Sequence, residues 1–351
     1  MEYYDYIINN LAEYVSLIIK DKRFIPNNDC KKDNINAPYG VIDRFLEYID
    51  DYNTRDYNAR NSRDFSVIKD FCLRHSEYIY NHLWHSLNMN NNSLENARYF
   101  FRGHNDSSYL LSPGIYRSAT RKDENYFFKE MQVRCAMQLS QGNLLDKLVY
   151  LQHYECPTRL LDITSNPLVA LYFACKGAKN KEGIVYSFRI REEDLLYPNS
   201  DRAQMLSHLC EFNANDQEQI MAHAILSSTS KFKKYKSGEF YNDIIERLYH
   251  AIKRETPAFE REMHPFDLLR PAFIQVAKSN PRIVKQDGAF IISGLAVDDN
   301  DCDSKIKKYV SQRLIIPVDA KARLLEELDL IGICEATLFP EVDKVASYLK
   351  Q

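Results

Sequence analysis

The sequence predicts an α+β protein, a helical N-terminal segment followed by a mixed sheet-and-helix domain. Two observations carry that prediction. Short apolar or aromatic runs recur at Ala97–Arg102, Gly183–Ile190, Ala289–Ile292 and Leu314–Ile316, as buried strands do. Between them lie stretches with apolar residues at helical spacing. Separated strands mixed with helices in this way read as α+β.

Composition sets the outer bounds. The 351 residues are 45% hydrophobic and 27% charged, with a formal net charge of −3. That length allows two domains, or one large domain with an extension. Ten glycines and twelve prolines exclude collagen-like and linker-dominated chains. No run approaches the roughly 18 uninterrupted apolar residues of a membrane span. The start, Met1-Glu2-Tyr3-Tyr4-Asp5, lacks the basic stretch of a signal peptide. A cytoplasmic protein with no membrane contact is expected. Near-neutral charge argues against whole-protein attraction to nucleic acid. The eight cysteines are scattered without a Cys-x-x-Cys pair, so they are expected to be reduced and structural, with no metal.

The elements follow in order. Ile7-Ile8, Leu11, Val15 and Ile18-Ile19 place an amphipathic helix over the first twenty residues. Lys22 to Pro38 is polar and broken by two prolines. Helical patterns return over Val41–Tyr52 and Phe65–Leu87. Asn88–Asn92, nearly all asparagine, reads as a loop and marks the boundary between a helical region, 1–92, and the α+β domain, 93–351. Beyond it, helical spacing covers Glu124–Leu139 and Leu144–His153. Asn166-Pro167 is a helix start, an asparagine cap followed by proline where its missing N–H costs nothing. That helix is apolar on nearly every face, so it should be deeply buried. A helical insertion is expected around 195–260.

Two constellations could carry chemistry. Phe101-Arg102-Gly103 ends a strand with an arginine whose planar fork suits a carboxylate or a phosphate, and with a glycine that permits close approach. The plainer alternative is an arginine bridging to a nearby carboxylate. The second, Gln152 to Pro167, crowds polar groups between two apolar helical runs. Thr164, Ser165 and Asn166 precede a helix whose free N–H groups could face an anion. The plainer alternative pairs Arg159 with Asp162 and leaves the hydroxyls as caps. His153 could act as a general base, or be structural at the end of its helix. Lys231-Phe232-Lys233-Lys234-Tyr235-Lys236 interleaves bases and aromatics as single-strand binders do, but a solvated loop is the simpler reading, so nucleic acid is not an expected partner.

Phe101-Arg102-Gly103, Leu111-Ser112-Pro113, Tyr116-Arg117, Gln152-His153-Tyr154, Pro157–Asp162 and Asn166–Ala174 together resemble the FRG domain. The resemblance continues through Asn280–Ile283, Gln286–Phe290 and Gly332-Ile333 with Thr337–Pro340, covering about 96–350. Glu155 stands where the family usually has glycine, and Ile163 where it usually has tryptophan. FRG domains tend to occur in bacteria and phages, which suggests an effector in anti-phage defence. The order of features is also similar to the ADP-ribosyltransferase fold. That likeness implies NAD as substrate, with Arg102 at its phosphates and Thr164 with Ser165 near its ribose, and Gly103 and Asn166 as further binding candidates. Arg159 joins the binding set. Arg102, His153, Gln286 and Glu335 are the catalytic candidates, Glu335 standing in for the missing carboxylate. The alternative is a non-enzymatic nucleotide- or protein-binding module, with the N-terminal helices meeting a protein partner.

Overall fold

The computed structural model describes residues 4–23, 62–86, 97–117, 124–228, 243–260, 263–278 and 280–350. The helical pattern at Val41–Tyr52, the loop at Asn88–Asn92, most of the polar stretch Lys22–Pro38 and the basic run Lys231–Lys236 lie outside the described residues.

Eight strands form one mixed sheet among the described residues: β1 (Tyr4–Ile7), β2 (Ala97–His104), β3 (Leu160–Thr164), β4 (Gly183–Arg191), β5 (Leu195–Leu196), β6 (Ala272–Ile274), β7 (Gly288–Ile292) and β8 (Val310–Ile316). Their order is β1-β8-β4-β2-β3-β7-β6-β5. The helices are α1 (Leu11–Arg23), α2 (Ser62–Arg74), α3 (Ser76–Ser86), α4 (Glu124–Arg134), α5 (Leu144–His153), α6 (Pro167–Cys175), α7 (Asp201–His208), α8 (Ala214–Ser228), α9 (Asp243–Glu255), α10 (Pro281–Lys285), α11 (Asp299–Lys307), α12 (Ala320–Leu330), α13 (Glu335–Leu338) and α14 (Val342–Tyr348). The α+β class is as expected.

The sheet is folded onto itself. Phe188 of β4 and Phe273 of β6 have ring centroids 5.6 Å apart. In a flat sheet, four strand steps would hold them about 19 Å apart. The space between the two halves is filled by Phe100, Ile184, Tyr186 and Phe188 from one side and Leu161, Ile163, Phe273 and Ile291 from the other. Ile163, at the family's tryptophan position, is thus an inner core residue. The crease lies between β2 and β3. These strands share the single register pair Phe101↔Thr164, whereas β2 stays paired with β4 from Ala97↔Arg191 to His104↔Ile184.

Helices cover both outer faces. On the β2/β4/β8 half, Phe101, Val185, Leu314 and Ile316 pack against α6, α12 and α1. On the β3/β7/β6 half, Leu160, Ile274, Phe290 and Ile292 pack against α2, α3, α5 and α7 to α9. The helix α6 starts where Asn166-Pro167 predicts, with Asn166 accepting from the Leu168 N–H at 3.0 Å.

Three expectations need correction. Residues 4–7 are a strand, not the first turn of a helix, because parallel pairing with β8 (Tyr4↔Gln312 to Ile7↔Ile315) outweighs a local periodicity. The helix read to Leu139 ends at Arg134 and continues as turns. Leu160–Thr164, read as part of a loop, is β3. On the N-terminal side of the expected boundary, α3 is joined to α11 by a buried network. Ser76 Oγ and Lys305 Nζ each donate to Asp301 Oδ2 at 2.9 Å.

Candidate functional site

Beyond Phe101↔Thr164 the two strands splay, and Arg102 spans the gap. Its Nη1 donates to the Asp162 carbonyl oxygen at 2.5 Å, replacing a ladder bond that the splayed backbones cannot make. Its Nε donates to His104 Nε2 at 2.8 Å. Residues two apart on a strand share a face, so Arg102 and His104 both point into the crease. Burial pulls the Arg102 guanidinium down to about 10, with Arg117 adding to that and Asp162 opposing it. It is still a cation at neutral pH. Burial, then the charges of Arg102 and Arg117, hold the His104 imidazole well below the usual histidine range. The histidine is therefore neutral and free to accept from Arg102. The rings of Tyr109 and Tyr186 flank it at 6.1 and 5.5 Å.

Asp162 is exposed, and it is held in place rather than paired. Gln152 Nε2 donates to Asp162 Oδ2 at 2.9 Å; Thr158 Oγ1 donates to Gln152 Oε1 at 2.7 Å; the Leu160 N–H donates to Thr158 Oγ1 at 3.1 Å. This chain fixes which way the Gln152 amide faces. Among the described residues no carboxylate lies within ion-pair distance of Arg102; its partners are a neutral ring and a peptide carbonyl.

The other sequence candidates fall in different places. Gly103 sits beneath α6, where an added Cβ would lie 1.9 Å from the Ala170 carbonyl oxygen, so the close approach is by a helix backbone. Arg159 is fully buried and faces Glu124, to which its Nε donates at 3.0 Å; it does not pair with Asp162 and does not reach the crease. Its guanidinium is raised above its ordinary range: burial lowers it, and the adjacent Glu124, with Tyr116 and Cys210, more than offsets that. Thr164 Oγ1 donates to the Gln286 carbonyl at 2.6 Å and accepts from the Asn166 N–H at 2.9 Å. The Ser165 N–H donates to the Asp287 carbonyl, and the Asn166 side chain caps α6. Gln286 Nε2 donates to the Leu338 carbonyl at 3.1 Å, and Arg282 lies over the Phe339 ring at 4.7 Å, so both tie α10 to the C-terminal segment. Glu335 is the first residue of α13 and pairs with Lys176 at 2.8 Å. His153, half-buried, meets the Tyr154 ring and makes no hydrogen bond to the Arg102 chain among the described residues. The turn after it holds Glu155 at φ 61°, the left-handed region that explains a preference for glycine there.

The crease thus brings Arg102 and His104 to the Asp162 carbonyl, while the Asp162 carboxylate stands on the outer face of β3, held by Gln152. Of these, sequence reasoning gave Arg102 a role of its own and included Gln152 and Asp162 only as members of the Gln152–Pro167 constellation. His104 could have been found from its two-residue spacing on a strand. Asp162 and Gln152 stand in the quoted motifs, but their pairing needs β3 and α5 brought together.

Among the described residues there is no group of three or more metal-ligating side chains, no helix long and apolar enough to cross a membrane, and seven free cysteines. No curated protein and no solved structure matches the chain. The family model of the FRG domain matches residues 97–183. That stretch holds β2, the loop to Arg117, α5, β3 and α6, the parts that build the crease: the chain carries an FRG domain over residues 97–183.

Proposed function

We propose that the crease binds the phosphate groups of a nucleotide, with NAD as the leading candidate. The observation that supports this reading is the state of Arg102. A partly buried guanidinium is normally matched by a carboxylate. Here it is oriented by a neutral histidine and a carbonyl, which spend two of its donors, and no carboxylate lies at ion-pair distance, Asp162 acting on it only from farther off. An anionic group with several acceptor oxygens is its natural complement, and phosphate fits the fork. Calorimetric titration of NAD and ADP into the wild type and into Arg102→Gln tests it. Loss of a charge-assisted pair at about 1.5–3 kcal/mol predicts roughly 10- to 150-fold weaker binding in the variant. Equal heats for both proteins, or none for either, would sink the assignment.

A second reading, NAD cleavage with nicotinamide leaving, is favoured by Asp162. Its carboxylate is exposed, is held by Gln152 and acts electrostatically on Arg102. A fixed carboxylate stabilises an oxocarbenium-like centre. In this reading Asp162 takes the part first assigned to Glu335, and an anti-phage role follows only from the setting of the family. Nicotinamide release that persists in Asp162→Asn would exclude it; no release by the wild type leaves the binding module.

A further inference from the structure

The strand that carries Arg102 leads directly into a turn, and the first aromatic ring after it, Tyr109, stays 51% exposed. A single exposed aromatic is ordinary on a protein surface. Two observations set this one apart. The first is its place. His104, whose Nε2 accepts from Arg102 Nε at 2.8 Å, meets the Tyr109 ring with centroids 6.1 Å apart and planes 65° apart. One buried imidazole therefore touches the Arg102 guanidinium and the exposed ring.

The second is the rigidity of the turn, which is pinned along its length. Asn105 Nδ2 donates to the Lys176 carbonyl at 2.8 Å, and Lys321 Nζ donates to the Asn105 carbonyl at 2.7 Å. The Ser107 N–H donates to the Glu182 carbonyl at 2.8 Å. Asp106 closes the turn: its Oδ1 accepts from the Ser108 N–H at 2.9 Å and the Ser108 hydroxyl at 2.6 Å, and its carbonyl accepts from the Tyr109 N–H at 3.2 Å. Two residues on, the Leu111 N–H donates to Asp303 Oδ1 at 2.7 Å. A tyrosine has only two side-chain torsions, so on a fixed backbone its ring is largely ordered before any ligand arrives. An ordered, exposed ring beside a phosphate-binding cation is what an aromatic base needs to stack on.

We infer that Tyr109 is the platform on which the base of the bound nucleotide stacks, so that the ligand is taken as a nucleotide and not as a bare phosphate. The inference rests on the nucleotide-binding reading above. The phosphate meets Arg102, the base lies on the exposed face of the Tyr109 ring, and the sugar crosses in front of His104. Stacking serves every base, so the preference it creates is for a base over none.

The test is calorimetry with ADP and with inorganic pyrophosphate, which has no base, on the wild type, Tyr109→Phe, Tyr109→Leu and Arg102→Gln. Loss of a stacked base predicts that Tyr109→Leu binds ADP about 5- to 150-fold more weakly than the wild type. Its affinity for pyrophosphate should stay within about twofold of wild type, which also shows that the crease is intact. Tyr109→Phe, which keeps the ring, should hold ADP within about threefold of wild type. Arg102→Gln should weaken both probes. ADP affinity unchanged in Tyr109→Leu, or weakened equally with that for pyrophosphate, overturns the platform but spares the phosphate site. Absence of binding by either probe to the folded wild type overturns both.

Discussion

Replacing Gly103 by alanine should be among the most damaging single-methyl changes this chain can suffer. The new Cβ would lie 1.9 Å from the Ala170 carbonyl oxygen and 2.7 Å from the Ala174 amide nitrogen. Ordinary contact needs roughly 3.5 Å, so α6 would have to retreat by about 1.5 Å. The helix has no room: Val169, Ala170, Leu171 and Ala174 are each at most 1% exposed. Overpacking costs about 1–3 kcal/mol where side chains can give way. Here the obstacle is helix backbone, so a loss of about 3 kcal/mol is expected, a large share of a typical total of 5–15 kcal/mol. With a urea slope near 3 kcal/mol per molar, the unfolding midpoint should fall by about 1 M. Urea titration followed by far-ultraviolet circular dichroism measures it. A midpoint within about 0.2 M of wild type would refute the packing argument and return Gly103 to the ligand side of the account.

Other expectations follow from the same geometry. Glu124→Ala strands Arg159 without its carboxylate in the core and should cost about 3–5 kcal/mol, read from urea unfolding; a loss below about 1 kcal/mol would mean the pair is not what holds that region. His223 is half-buried, and the desolvation of its imidazole pushes it down to about 4. The unfolded chain therefore takes up this proton first, and stability is complete above pH 6.5 and falls as pH drops from 6.5 toward 4, by about 1.4 kcal/mol per unit. Comparing urea midpoints at pH 7 and pH 5, His223→Gln should lose about 2 kcal/mol less than wild type, and equal losses would contradict the assignment. Glu155→Gly relieves a left-handed backbone at φ 61° and should raise stability by about 1 kcal/mol, or about 2 °C in melting temperature; a lower melting temperature would mean the turn carries no strain.

What could be read in advance was what local chemistry decides. Asn166-Pro167 announces α6 because cap and proline act within two residues, and the apolar run behind them predicts its burial. Strands held by distant partners were harder. Residues 4–7 carry helical spacing, and only β8, some three hundred residues later, makes them a strand. Leu160–Thr164 is interrupted by Asp162, whose carboxylate is exposed and held by Gln152 of α5. The partner of Arg159 shows the same limit. Asp162, three residues away, is the local choice, while the residue that neutralises it is Glu124, thirty-five positions upstream on α4. Arg102 was legible because a charged residue ending an apolar strand is costly under any fold. Its setting was not, since the crease exists only once the sheet has folded over.

The central claim is that Arg102 meets a phosphate in the crease. A crystal structure of the protein soaked with ADP tests it most directly. The account predicts a phosphate oxygen within about 3 Å of the Arg102 guanidinium, with His104 still accepting from Arg102 Nε. ADP bound elsewhere, with the crease unchanged, would contradict it.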